Sequence, residues 1–391
     1  MRNLAKVLAG FQLVALLVTS TAHATDYSAP GPLTVTTGNL GSTEGGSIGG
    51  YVVVPSGSGP YPLIIASHGW SATADQQVGW GQQFASYGFV VVAPSFPNTL
   101  SPSDTTDAQI IETLAALYAD PTHPSPAQGK VDPTRLGLEG HSAGGLATTL
   151  ASAAIHPQAT VLFDPVDSNG DGEKALLGIC SPVLGVFAQP SSCNNQEAWW
   201  PYANTTLGPE VLFHVVSSTH CDGENQSRTL CGSVCGGDAD TTRQAEYARY
   251  ATAFFLAELA GDANAAATLD IGALSANTAI TSAIVKPGTP CDVAAVDAGA
   301  PAADAGPPPV DASTPDATVN EAGPAPRDAG STSSPAPTTS PTSNGDTSPT
   351  ASPATSSGCS CRTSGGAPDG SLALALAAGL AWARRLRRRA R

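Results

Sequence analysis

The 391-residue chain is predicted to carry an α/β three-layer sandwich with a mostly parallel sheet, followed by a tail that does not fold. Three observations predict this. Apolar, β-rich runs recur that are continuous rather than alternating, the character of strands buried on both faces of a parallel sheet. Segments with apolar residues at helical spacing lie between them. The last quarter, by contrast, is crowded with Pro, Ala, Ser and Thr and has no apolar periodicity.

Residues 1–24 read as a signal peptide. Arg2 and Lys6 precede the apolar run LAGFQLVALLV, and Ala22-His23-Ala24 puts small residues at the two positions a signal peptidase reads, so cleavage is expected before Thr25. The folded domain is placed at residues 25–290. Its strands are expected at YVVV (51–54), PLIIAS (62–67), FVVVAP (89–94), RLGLEG (135–140), TVLFD (160–164), PVLGVFA (182–188) and VLFHVV (211–216). Helices are expected at 105–119, after a Thr/Asp start, and at 241–260, where Gly261 stops the periodicity. Strands alternating with helices imply right-handed crossovers, and ligands of such folds sit at the carboxyl ends of the strands.

Residues 291–358 are read as a spacer, first Ala/Asp/Gly/Pro-rich and then nearly all Ser, Thr and Pro, with too little apolar surface to offset the entropy of ordering. Residues 359–391 follow with a Cys motif (Cys359-Ser360-Cys361), an apolar stretch at 371–383 and the basic run RRLRRRAR. The apolar stretch falls short of the roughly 18 residues of an ordinary spanning helix, and the basic block would stay cytoplasmic. This three-part tail resembles the C-terminal sorting signals of myxobacterial surface proteins. The resemblance implies processing near the Cys by a sorting machinery, and display at the cell surface or outer membrane; a plain tail anchor would leave the protein at the same membrane.

Residues 25–290 hold 7 Lys and Arg against 23 Asp and Glu, a formal balance of −16. Such a surface repels phosphate backbones, so nucleic acid is not an expected partner. Six of the eight Cys (180, 193, 221, 231, 235 and 291) fall in or beside the folded domain, and behind a signal peptide an even set reads as disulfides. A zinc cluster around His220, Cys221, Cys231 and Cys235 is disfavoured, because there is no paired CxxC and the compartment is oxidising.

Gly140-His141-Ser142-Ala143-Gly144 follows an expected strand directly and precedes an Ala/Leu-rich helix. Small residues two before and two after the Ser let the chain turn sharply with the hydroxyl at the apex, and the helix N-terminus favours negative charge developing there. Ser142 is therefore the expected nucleophile. An oxyanion hole needs a second backbone N–H beside that of Ala143, from the loop after an earlier strand. His68-Gly69-Trp70-Ser71 stands in that place, with the Trp70 N–H as the expected donor and Gly69 as the alternative. The base must come from the loop after the last strand. His220 lies there, whereas His214 is inside the strand.

With these residues in place, the chain resembles secreted α/β-hydrolases of the cutinase-like polyester hydrolase, dienelactone hydrolase and chlorophyllase kind. The matching stretches are SHGWSA, FASYGFVVVAPSFPNT, GKVDPTRLGLEGHSAGG and SSTHC, spread over most of residues 50–225. The resemblance implies hydrolysis of carboxylic esters, small or polymeric, through an acyl-Ser142 intermediate with no cofactor required. Polyester hydrolases carry their triad Asp just after the penultimate strand. Here that strand leads into QPSSCNNQEAWW, which has no Asp. Chlorophyllases instead have a DPVD segment after the strand that follows the nucleophile helix, which corresponds to Asp164-Pro165-Val166-Asp167. Asp164 is the preferred acid, with Asp167 as the alternative and Glu197 as an outside one.

From Asp167 the run DSNGDG begins like a calcium loop that would use Asp167, Asn169, Asp171 and Glu173, but the Glu expected at its twelfth position is replaced by Gly178. A solvated Asx/Gly turn competes with a structural Ca²⁺ site. The polyester-hydrolase resemblance also implies a disulfide between Cys193 and Cys221. Trp70, Trp199 and Trp200 are candidates to line an apolar cleft. A monomer is expected. Two other functions are carried beside the esterase: an extracellular serine peptidase or amidase on the same triad, and a non-catalytic surface-displayed binding module, against which the intact elbow, base and oxyanion turn speak.

Overall fold

A computed structural model describes residues 25–40, 48–97, 99–100, 102–167, 169–194, 206–289 and 291. The strands are β1 (Val35–Asn39), β2 (Gly50–Pro55), β3 (Tyr61–Ser67), β4 (Val90–Pro94), β5 (Val131–His141), β6 (Ala159–Phe163), β7 (Val183–Phe187), β8 (Glu210–Val215) and β9 (Ile280–Lys286). They form one sheet in the order β1-β2-β4-β3-β5-β6-β7-β8-β9. The pairs from β4 through β3, β5, β6 and β7 to β8 are parallel. The edge pairs β1–β2, β2–β4 and β8–β9 are antiparallel. With helices on both faces this is the α/β-hydrolase architecture that the strand pattern predicts.

The continuous apolar runs are explained by which way alternate residues face. Ile64, Ala66, Val91 and Ala93 enter one core with Trp80, Phe84, Phe254 and Phe255. Leu63, Ile65, Val90 and Val92 enter the other with Ile111, Leu114, Ala147 and Ala151. Helices α1 (Val78–Ser86) and α6 (Thr241–Ala260) supply the first layer; α2 (Asp104–Ala119) and α3 (Ala143–Ile155) supply the second. Phe84, Phe255, Ile64 and Ile65 are fully buried, each contributing about 1.5–3 kcal/mol relative to exposure. The short helices α4 (Asp171–Leu176) and α5 (Thr229–Val234) sit in the connections after β6 and β8.

The sequence pattern does not anticipate β1 and β9. Both lie at the sheet edges, where half of each strand faces water, so their Thr- and Ser-containing segments show no continuous apolar run. The crossover from β4 to β5 passes β3, and the loops around this reversal of strand order converge at the carboxyl ends of β3 and β5.

Three disulfides join Cys180 to Cys291, Cys193 to Cys235 and Cys221 to Cys231. The Cys193–Cys221 pairing implied by the polyester-hydrolase resemblance is thus corrected. A 3₁₀ turn at His220–Gly223 carries Cys221 toward Cys231, ten residues on in α5, with Cα atoms 5.8 Å apart. Cys235, one helical turn after Cys231, then meets Cys193 at 5.1 Å. The sulfurs of Cys221, Cys231 and Cys235 lie within 4.8 Å of one another, yet all three are oxidised and leave no thiolate for a metal.

No helix among the described residues is long and apolar enough to cross a membrane. The signal peptide, the spacer beyond Cys291, and the Cys motif and apolar stretch of the tail lie outside the described residues.

Candidate active site

Ser142 stands between β5 and α3 at φ 58°, ψ −123°, a conformation costly for a residue with a side chain, of a kind that clusters at active sites. The turn closes only around glycine: a Cβ on Gly140 would lie 2.4 Å from the Gly144 carbonyl oxygen, and one on Gly144 would lie 2.3 Å from that of His68. The elbow is tied to the next strand, with the Ser142 N–H donating to Phe163 O at 3.2 Å and the Val166 N–H to Ser142 O at 3.1 Å.

His220 opens the turn after β8. Its Nε2 lies 2.9 Å from Ser142 Oγ, and its Nδ1 lies 2.6 Å from Asp164 Oδ2. Ser142, His220 and Asp164 are 5%, 4% and 1% exposed, so this line is screened from bulk water at its acid end. An ionised Asp164 only accepts, which places the proton on Nδ1 and turns the Nε2 lone pair toward the serine hydroxyl.

Asp164 leaves β6 at φ 43°, and three donors converge on its two oxygens. Oδ1 accepts from the Ala188 N–H at 3.1 Å, Asn194 Nδ2 reaches both oxygens at 3.3 and 3.0 Å, and His220 occupies Oδ2. Asp167 is used differently. Its Oδ1 accepts from the backbone N–H groups of Asn169, Gly170 and Asp171, and its Oδ2 from that of Glu173. It therefore ties down the turn before α4 and the start of that helix, and the lone pairs a cation would use are directed at backbone donors. Asp171 instead pairs with Lys174 at 2.9 Å on an exposed surface.

The His220 turn is braced on several sides. Asp222 accepts from the Thr219 N–H at 2.7 Å and pairs with Arg243 at 2.6 Å, while Trp80 Nε1 donates to Gly223 O at 2.8 Å. His141 Nε2 lies 2.8 Å from His220 O; because a carbonyl only accepts, that nitrogen carries the proton. Burial holds the His141 imidazolium well out of reach at neutral pH. His214 donates from Nδ1 to Ala188 O at 3.1 Å, a scaffold contact beside the acid.

The loop after β3 touches the elbow: a Cβ on Gly69 would come within 2.8 Å of Ser142 Cβ. Arg228, paired with the buried Glu224 at 2.6 Å, donates to the carbonyls of Ser71 and Trp70 and holds that loop from the opposite wall. A cleft open to solvent lies over Ser142 and His220, walled by Gly69, Trp70, Leu230 and Val234. Trp199, Trp200 and Glu197 lie outside the described residues.

Asn194, Arg228 and Glu224 escape sequence reasoning. Asn194 and Arg228 act on residues distant in the chain, and Glu224 acts through Arg228; in sequence each is an ordinary polar residue in a loop. One signal was present: Asn194 and Asn195 follow β7 where the resemblance places an acid, and Asn194 donates to the Asp164 carboxylate.

A family model described as PETase, PET hydrolase-like, matches residues 20–183, a stretch that holds Ser142 and Asp164 and ends before His220. Cutinase est2 of Thermobifida alba is 31% identical over 142 residues, which cover 36% of this chain and 45% of that protein. A bis(hydroxyethyl) terephthalate hydrolase of Streptomyces coelicolor is 30% identical over 163 residues, covering 40% and 50%. Lipase 1 of a Moraxella species is 26% identical over 199 residues, covering 49% and 59%. The chain spans about half the length of the curated relatives it matches.

Proposed function

We propose that this chain is a serine hydrolase of carboxylic esters that works outside the cell through an acyl-Ser142 intermediate. The reading rests on one observation above the others: the hydrogen-bonded line from Ser142 Oγ through both nitrogens of His220 to Asp164, buried at one end and opening onto a cleft at the other. The relatives that bear on it carry names of ester hydrolases, cutinases, a terephthalate diester hydrolase and a lipase, and the shared reaction is ester cleavage. Three disulfides suit an oxidising compartment.

In the proposed reaction, Ser142 Oγ adds to the ester carbonyl carbon as His220 Nε2 takes the hydroxyl proton. Asp164 stabilises the imidazolium through Nδ1 without taking the proton itself. The charge that develops on the carbonyl oxygen falls at the N-terminus of α3, where the Ala143 N–H and, from the β3 loop, the Trp70 N–H are assigned to receive it. Collapse of the adduct expels the alkoxide, which collects the proton from Nε2 and leaves the acyl-enzyme. Water repeats the sequence and frees the acid. No step needs a metal, and the Asp167 turn is assigned a structural role. Trp70, Leu230 and Val234 give the cleft an apolar wall suited to an acyl or aromatic acid group.

The test is a panel of p-nitrophenyl esters of graded acyl length, with the matching p-nitroanilides, assayed on the purified protein and on Ser142→Ala. Ester turnover at least about 10³-fold above the variant is expected, with anilides far slower. Ester rates equal in the two proteins refute the reading; comparable ester and anilide rates replace the esterase by an amidase.

A further inference from the structure

His68 is buried in the first turn after β3, 3% exposed, and neither nitrogen faces solvent chemistry. Its Nδ1 lies 2.9 Å from the carbonyl oxygen of Gly69, and its Nε2 lies 2.8 Å from the backbone nitrogen of Phe96. A carbonyl only accepts and an amide N–H only donates, so the two contacts define one protonation state: hydrogen on Nδ1, a lone pair on Nε2. The ring is a neutral donor–acceptor bridge between two loops, and it packs on the Phe96 ring with centroids 5.0 Å apart.

The peptide that His68 grips is the one that matters to the site. The Gly69 carbonyl and the Trp70 N–H belong to a single planar trans unit, in which C=O and N–H point in opposite directions. A carbonyl drawn toward His68, and also accepting the Ala72 N–H at 3.3 Å, turns the Trp70 N–H to the other side. Gly69 lies directly against Ser142, so the peptide cannot shift without moving beside the nucleophile. The next two carbonyls, of Trp70 and Ser71, are held by Arg228, and the Ser71 N–H donates to Thr99 O at 2.7 Å. Of these restraints, the His68 contact is made by a side chain to the peptide that carries the Trp70 N–H.

We propose that His68 is a positioning residue for ester hydrolysis: as a neutral imidazole it fixes the orientation of the Gly69–Trp70 peptide and so aims the Trp70 N–H at the oxyanion. This rests on the esterase reading and on Trp70 as a donor. The imidazole is suited to the task, since burial draws its pKa down to about 4 and keeps it a bridge over the range in which an extracellular esterase works. Of the charged and titratable groups near it, Arg228 opposes a positive charge on the ring, and His141 is held neutral by burial.

Two amide variants separate the contacts. The amide of His68→Asn stands near the place of Nδ1 and can still donate to Gly69 O; that of His68→Gln reaches the place of Nε2 and can accept from the Phe96 N–H but not hold Gly69. Expected for His68→Gln is a fall in kcat of about 10–100-fold with KM within about threefold, because a donor is misaimed rather than removed. His68→Asn should recover most of that loss. Inhibition by a boronic acid, whose tetrahedral adduct on Ser142 uses the same hole, should weaken in His68→Gln by a similar factor, while inhibition by the free product acid stays unchanged.

Equal kcat in the two variants, a larger loss in His68→Asn, or a loss that follows only the folded fraction measured by thermal unfolding would each overturn the assignment. Failure of the underlying reading would look different, since wild type itself would then hydrolyse no ester faster than Ser142→Ala.

Discussion

Asp164→Asn is the sharpest probe of the candidate site, because the donors around the carboxylate dictate where each atom of the new amide must go. The Ala188 N–H is a backbone donor and cannot turn away, so the amide oxygen is held at the Oδ1 position. Asn194 Nδ2, which also donates to Gln189 O at 2.9 Å, keeps its 3.3 Å contact with Oδ1 and gives up the 3.0 Å one with Oδ2. The amide nitrogen is therefore forced to the Oδ2 position, facing His220 Nδ1 across 2.6 Å. Two N–H groups cannot meet there. The imidazole escapes by moving its proton to Nε2, which leaves it a donor toward Ser142 Oγ and removes the base. Geometry is kept while the tautomer is inverted, a change that lowers kcat by about 10⁴ in serine hydrolysis, or about 5.4 kcal/mol of transition-state free energy. The assay is p-nitrophenyl butyrate hydrolysis with kcat and KM determined separately, accompanied by thermal unfolding. KM should move little. A variant within about tenfold of wild type would refute the reasoning and remove Asp164 from the triad.

Three further outcomes follow from the same contacts. Asp167→Asn should keep turnover within about threefold of wild type and lose about 1 kcal/mol of stability, since only a turn and helix start are weakened; a large loss of kcat, or inactivation of wild type by a chelator, would return the acid or the metal to this segment. The double change Cys221→Ser with Cys231→Ser opens a loop ten residues apart and should cost about 2–3 kcal/mol in urea unfolding, with part of the loss in kcat because Cys221 follows the base; unchanged stability would mean that the bridge is not formed. Glu139 is fully buried, neither oxygen meets a partner among the described residues, and burial raises its pKa well above the usual range. A raised native pKa means that stability present below the unfolded pKa is lost as pH rises, at up to about 1.4 kcal/mol per unit. Glu139→Gln should therefore gain on wild type as unfolding is moved from pH 5 to pH 8, and a difference independent of pH would refute this.

Legibility in the sequence tracked locality. The seven interior strands were visible because each lies between two apolar layers, and the two long helices because their apolar residues recur at helical spacing. Ser142 was visible because its turn needs glycines at fixed offsets, and the ends of β3 and β5 bring Gly69 and Ser142 together as the motifs suggest. The edge strands β1 and β9 were hidden because half-exposed backbone tolerates Thr, Ser and Gly. The disulfide pattern was hidden for another reason. Cys221, Cys231 and Cys235 crowd together, and the choice of partner depends on where a short 3₁₀ turn and a six-residue helix aim their side chains. His68 was read as part of a motif, but its function as a bridge depends on Phe96, which comes 28 residues later on another loop.

On the proposed reading the acid leaves β6 rather than the segment after β7, and the sheet explains how it still reaches His220. β6 and β7 are parallel neighbours, with Phe163 in register with Val186, so their carboxyl ends open onto the same small volume beneath the His220 turn. In this chain β6 sends the carboxylate into that volume from Asp164, and the segment after β7 sends the Ala188 N–H and the Asn194 amide. Charge and its solvating donors therefore come from different strands. An acid placed after β7 would meet the same imidazole but would lose these donors, which now stand on its own strand end. The positive φ of Asp164 belongs to this arrangement, since a left-handed turn at the strand end swings the side chain sideways toward β7 instead of onward with the strand. Asp tolerates that conformation better than most residues. Carrying the acid from β6 to β7 would then need two compensating changes, removal of the Asn194 donor and release of the Asp164 turn, and a single Ala188→Asp exchange on Asp164→Ala should not restore turnover.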